Sequence, residues 1–161
     1  MKWLEEWTPG EVFDLGEHAF TAEAIVDFAR DFDPQPFHLD EAAGRASLFG
    51  GLAASGWHVA CAWMALWIAN QNRVMAERRA ATPAGEPVPV AGPSPGFEDM
   101  RWLKPALAGD TVRYRSTVLS ARPSATRPEW GILSMRNEGF VGDALVFHFT
   151  GFVFMPRRPK G

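Results

Sequence analysis

The chain has 161 residues, 47% of them hydrophobic and 22% charged, which is ordinary for a folded globular protein long enough to bury a core without cross-links. A formal net charge of −3 offers no broad positive field for nucleic acid or anionic lipid. The single cysteine, Cys61, excludes an internal disulfide framework and suits a reducing cytoplasm; inside an apolar run it reads as a small buried hydrophobe.

The opening "MKWLEEWTPGEVFDLG" is acidic and broken by Pro9-Gly10, unlike a signal peptide. Loose alternation over residues 12–20 predicts a first strand. Thr21 offers an N-cap to a helix whose apolar positions are Ala22, Ile25, Val26, Phe28 and Ala29. That helix is expected to stop near Asp31 or Phe32, because Pro34 and Pro36 each disfavour helical geometry in the residue before them. Asp40 is placed to cap a second short helix through "EAAGRA".

A small, glycine-rich stretch, "FGGLAASG" (49–56), feeds a long run that is apolar on nearly all sides as far as Ala69 and polar beyond it. The first half predicts a buried helix and the second a solvated one. The apolar part, residues 57–69 with His58 inside it, is shorter than the roughly 20 residues of a membrane span, so a soluble cytoplasmic protein is expected. Residues 82–97 are dense in proline and glycine and predict a long surface loop or lid. Strands are expected over 98–103, 111–121, 131–140 and 144–155, with a hairpin turn at Val141-Gly142-Asp143 and a frayed basic tail. The order is that of a single α+β domain spanning 1–161, an antiparallel sheet wrapped about a helix and suited to homodimer formation.

The segment "DFDPQPFHLD" (31–40) packs three aspartates, two prolines and a histidine into ten residues. Asp33 and His38 are an acid and a base, but five extended residues span ~16 Å, so spacing alone does not bring them together. Helix-end aspartates followed by a turn are the bland reading, and an acid–base pair facing one pocket is the sharp one.

The stretch "DFDPQPFHLDEAAGRASLFGGLAASGW" resembles the signature of the MaoC-like, hydratase-2 group of (R)-specific enoyl-CoA hydratases, whose pattern runs Gly-Asp-x-Asn-Pro-x-His before a small-residue stretch ending in glycine. "MRWLKPALAGDTVRYRSTVLSARPS" is similar to that family's later strands, with Ala108-Gly109-Asp110 at its turn. The resemblance implies a hot-dog fold, an antiparallel sheet around a long central helix. It implies that Asp33 and His38 are catalytic and that the Gly56 N–H is an oxyanion donor. Gln35, Ser55 and Trp57 stand beside them as candidate substrate-binding residues. Phe32 replaces the family's glycine and would fill space that glycine leaves open; Gln35 replaces asparagine, keeping the amide on a longer arm.

The implied reaction is reversible addition of water to a trans-2-enoyl thioester such as an acyl-CoA, with no metal or redox cofactor. A non-catalytic acyl-thioester-binding module is the competing reading, and a thioesterase the third. The four histidines, His18, His38, His58 and His148, lack metal-ligand spacing. His58 reads as a satisfied core histidine and His148 as structural. Trp63 and Trp67 share a helical face and read as core in preference to an acyl tunnel. Arg157, Arg158 and Lys160 read as solvated in preference to meeting CoA phosphates.

Overall fold

The computed structural model describes residues 1–159. After a 3-10 turn, Leu4–Glu6, come β1 (Val12–Ala19), α1 (Ala22–Phe32), α2 (Pro36–Leu39), α3 (Glu41–Ala46) and α4 (Gly56–Ala81). Four strands complete the chain: β2 (Gly96–Trp102), β3 (Thr111–Pro123), β4 (Trp130–Val141) and β5 (Ala144–Pro156). All pair antiparallel in one sheet of order β1-β3-β4-β5-β2. This is the α+β hot-dog arrangement, with α4 lying against the sheet.

Local chemistry sets the boundaries. The Thr21 hydroxyl accepts the Ala24 N–H at 3.2 Å, and Asp40 accepts the Ala43 N–H at 2.8 Å, so both expected caps start their helices. Pro36 sits in the first turn of α2, where its missing N–H costs nothing. At the β4–β5 hairpin Gly142 has φ 55°, a left-handed conformation that a residue with Cβ adopts only with strain.

The core lies between α4 and the sheet. Phe20, Ile25, Val59, Val112, Tyr114 and Phe147 are almost wholly buried there. The Tyr114 hydroxyl donates to the Val59 carbonyl at 2.8 Å, tying β3 to the helix, and burial pushes the phenol's pKa well up. A second cluster gathers Leu4, Trp7, Val118, Leu133 and Met155. The N-terminal segment therefore packs as part of the core, a role its acidic composition did not advertise.

Several expectations need correction. One side of α4 is not enclosed: Trp57, Cys61, Met64 and Ile68 follow one stripe and are exposed, because the sheet covers only the opposite side of the helix. Cys61 is accordingly not a buried hydrophobe. The Pro/Gly-rich loop ends at Pro95, since Gly96 and Phe97 already pair with Phe152 and Gly151 of β5. The basic tail is anchored through residue 158: Arg157 Nε donates to Glu5 at 3.0 Å and Arg158 Nη2 to Glu6 at 2.7 Å, alongside Arg78. Arg157 and Arg158 are thus engaged by carboxylates; Lys160 lies outside the described residues. Among those residues, no helix is long and apolar enough to cross a membrane.

Candidate active site

The turn after α1 and the start of α4 converge. Asp33 is the C-cap residue of α1, held by its N–H to the Ala29 carbonyl at 2.9 Å. One helical turn of α2 then carries His38 inward, where it is 4% exposed. Its Nδ1 lies 2.6 Å from the Ala53 carbonyl. A carbonyl only accepts, so Nδ1 bears a hydrogen and Nε2 is the nitrogen left to exchange protons. Nε2 faces Asp33 Oδ2 at 3.5 Å, too long for a tight hydrogen bond and short enough for both atoms to address one water.

Asp33 is organised on every side. Ser55 Oγ donates to Oδ2 at 2.7 Å and Gln35 Nε2 to Oδ1 at 2.8 Å. Partial burial pushes the carboxyl's pKa up, but the Ser55 and Gln35 hydrogen bonds and the His38 charge outweigh it and hold the pKa below the ordinary aspartate value. Gln35, one methylene longer than the asparagine of the resembled pattern, still delivers its amide to the acid.

Ser55 has a second task. It is the N-cap of α4, accepting the Trp57 N–H at 3.3 Å, so the residue that grips Asp33 also starts the 26-residue helix. Gly56 is the first helical residue, and its N–H has no intrahelical acceptor. Its carbonyl accepts from Trp102 Nε1 at 2.8 Å, and a Cβ at Gly56 would meet the Trp102 ring at 2.7 Å. Glycine is needed here because an indole occupies the place of a side chain. Trp57 meets Trp102 edge-on, with ring centroids 5.6 Å apart.

The structure thus brings together Asp33, His38, Gln35 and Ser55, with Gly56 following directly in the chain and Trp57 on the outer side. Phe32, the largest departure from the resembled pattern, stays outside the cluster: it is 71% exposed and packs on Phe28 with centroids 4.9 Å apart. Ala53 and Trp102 went unrecognised in the sequence. Ala53 acts through a backbone carbonyl that carries no residue signature. Trp102 lies 46 positions from Gly56, and only the β2 register brings it close.

A cavity of about 530 Å³ extends from Trp57 along α4, past Ala60, Met64, Trp67 and Gln71. Phe97, Met135, Phe149 and Val153 furnish much of the opposite wall. Trp63 and Trp67 both line it; Trp63 is also core, its indole N–H donating to Ser116 Oγ at 3.3 Å. The Pro/Gly-rich segment forms a further wall through Ala91, Gly92 and Ser94. It is stitched to β5 by Gly92 N–H to the Phe154 carbonyl at 2.8 Å and by Phe154 N–H to the Pro93 carbonyl at 3.2 Å.

The other histidines stand apart. His58 is buried as expected but not satisfied: its Nδ1 has no hydrogen-bond partner, and the ring stacks on Phe28 at 4.5 Å. Burial, then the neighbouring His18, lower its pKa to about 4. His148 Nδ1 lies 3.8 Å from Asp99 Oδ2, beside the bulge where Asp99 takes φ 51°.

Comparison with known proteins agrees with the fold and with the family resemblance. The MaoC-like domain family matches residues 6–129. The chain is 30% identical over 132 residues to the uncharacterized protein YdeM of Bacillus subtilis, covering 82% of each. It is similar to the crystal structure of a MaoC-like dehydratase from Rhodospirillum rubrum, with 36% identity, TM-score 0.78, and 99% and 100% of the two chains covered. The R-hydratase PhaJ1 of Pseudomonas aeruginosa shares the fold at TM-score 0.61 and 17% identity, over 97% of this chain and 86% of that one. With the domain matched over most of its length, the chain belongs to the MaoC-like dehydratase family.

Proposed function

We propose that the protein is an (R)-specific enoyl-CoA hydratase/dehydratase that reversibly adds water across a trans-2-enoyl thioester. The observation that carries this reading is the shared Asp33 carboxylate, gripped by Ser55 at 2.7 Å and facing His38 Nε2 at 3.5 Å beside the start of α4.

Hydration needs a base for water, a proton for Cα and a place for the negative charge that builds on the thioester oxygen. Asp33, kept ionised by its donors, takes a proton from a water held between it and His38. The oxygen of that water bonds to Cβ, electron density moves to the thioester oxygen, and a proton returned from the Asp33–His38 pair reaches Cα. The Gly56 N–H, at the positive end of α4, meets the oxygen as its charge develops. Removal of such a donor typically costs about 3–4 kcal/mol of transition-state stabilisation. The acyl chain occupies the cavity along α4, whose aromatic and methionine lining suits hydrocarbon.

The working form we assign is a cytoplasmic homodimer. Trp57, Met64, Ile68, Phe97, Trp102 and Leu103 are exposed on α4 and around β2, and the first four also line the cavity, so a second copy docking on this apolar face would close the cavity's open side. Sedimentation as a monomer at assay concentration would remove that element.

The deciding experiment presents purified protein with trans-2-enoyl-CoAs of short, medium, branched and aromatic type and follows loss of the conjugated thioester absorbance. Turnover is expected with at least one class. Silence across the set, with binding retained, would replace the enzyme by an acyl-thioester-binding module.

A further inference from the structure

The cavity that receives the acyl chain in the proposed reaction does not end in hydrocarbon. Gln71 lines it 15 positions along α4 from Gly56; it is 6% exposed, and its side-chain oxygen is buried with no hydrogen-bond partner. A buried amide without a partner costs about 1–3 kcal/mol, and native chains keep such groups where something else completes them. Asn137, the other deeply buried amide in the lining, is already engaged: it accepts from Ser116 Oγ at 2.7 Å and donates to the Met135 carbonyl at 3.3 Å. Gln71 is therefore the buried wall amide left without a protein partner.

We propose that Gln71 is a specificity-determining residue that selects acyl chains bearing a hydroxyl at or near their far end. The proposal rests on the hydratase reading for its placement of the chain. Fifteen residues of helix rise about 22 Å, and the Gln71 side chain leans back toward the N-terminus of α4, which shortens the span from Gly56. If each chain atom takes about the volume of a water, ~30 Å³, a 530 Å³ cavity holds roughly 18 heavy atoms, enough for the chain, its hydroxyl and the thioester. Both estimates suit a chain of ~12 carbons reaching from the thioester to Gln71. A hydroxyl both donates and accepts, so it satisfies the amide in either orientation. A terminal ammonium is disfavoured, because no acidic side chain lines the cavity to pair with it.

Binding is measured by calorimetry with two saturated, non-reacting ligands, dodecanoyl-CoA and 12-hydroxydodecanoyl-CoA, on the wild-type protein and Gln71→Leu. The wild type is expected to bind the hydroxylated chain about tenfold more tightly. Gln71→Leu should reverse the preference while its Tm holds or rises, since no protein hydrogen bond is lost. Equal binding by the wild type, or a preference unchanged in Gln71→Leu, overturns the assignment. Failure of both ligands to bind overturns it together with the cavity's role. Tight, selective binding without hydration of the matching 2-enoyl-CoA would sink only the proposed reaction.

Discussion

His38 and His58 are both buried imidazoles, 4% and 8% exposed, yet their surroundings are opposite. Around His38 the chain supplies polar partners: a carbonyl on Nδ1 and, opposite Nε2, a carboxylate fixed by Ser55 and Gln35. Around His58 it supplies rings, with Phe28 stacked on one face and Phe20 and His18 edge-on at 4.9 and 5.8 Å. Burial alone therefore says little about a histidine's task. What distinguishes the first region is that a proton has somewhere to come from and somewhere to go.

The largest effect should come from breaking the first region. Asp33→Asn and His38→Gln are each expected to lower hydration kcat by about a thousandfold or more, of the size seen when an acid–base group acts with its partner. Thermal melting should change little in Asp33→Asn, because that side chain is partly exposed and keeps its shape. Hydration at the wild-type rate in both variants would end the contrast between the two histidines.

Next in size is the pH response of the second region. The His58 pKa is lowered from the ordinary 6.5 to about 4, so between those values the unfolded chain binds more protons than the folded one. Its contribution to stability is whole above about pH 6.5 and is lost as the pH falls toward 4; a shift of this size corresponds to roughly 3 kcal/mol. His18, whose pKa burial also lowers, acts in the same direction. Denaturant unfolding across this window should show the loss in the wild type and a flatter profile in His58→Phe. Equal slopes would mean that the ring cage does not keep His58 neutral.

The smallest effect sharpens the comparison at Ser55. Ser55→Ala removes a donor from Asp33, so the carboxyl's pKa should rise toward its ordinary value. The acid limb of kcat/KM should then move to higher pH and its plateau fall about tenfold. The lost cap on α4 should lower stability by about 1 kcal/mol. An unmoved acid limb would show that Ser55 serves the helix alone.

Much of this was legible in residue order. Thr21, Asp40 and the proline pair announce helix ends by local chemistry, which needs no tertiary partner. The alternating strands after residue 96 read equally well. Asp33 and His38 were visible as chemistry but not as a pair, because their meeting depends on one turn of α2 bending the chain; the family resemblance nominated them instead. Hidden altogether were contacts made by backbone or across long separations, such as the Ala53 carbonyl and the Trp102 indole. The exposed stripe of α4 has no signature either, because its sequence is apolar all round and composition does not state which side a sheet covers.

The strand order also bears on how the molecule comes into being. β3, β4 and β5 are consecutive and pair with near neighbours, a local meander that closes short loops. β1 and β2 join its opposite edges, and β1 must find β3 across about a hundred residues, where loop closure is entropically costly. Asp33, His38, Ser55 and Gly56 all lie in the stretch between those two edge strands. Refolding should therefore recover sheet signal before it recovers turnover, with the acid, the base and the helix start assembled only when both margins have docked.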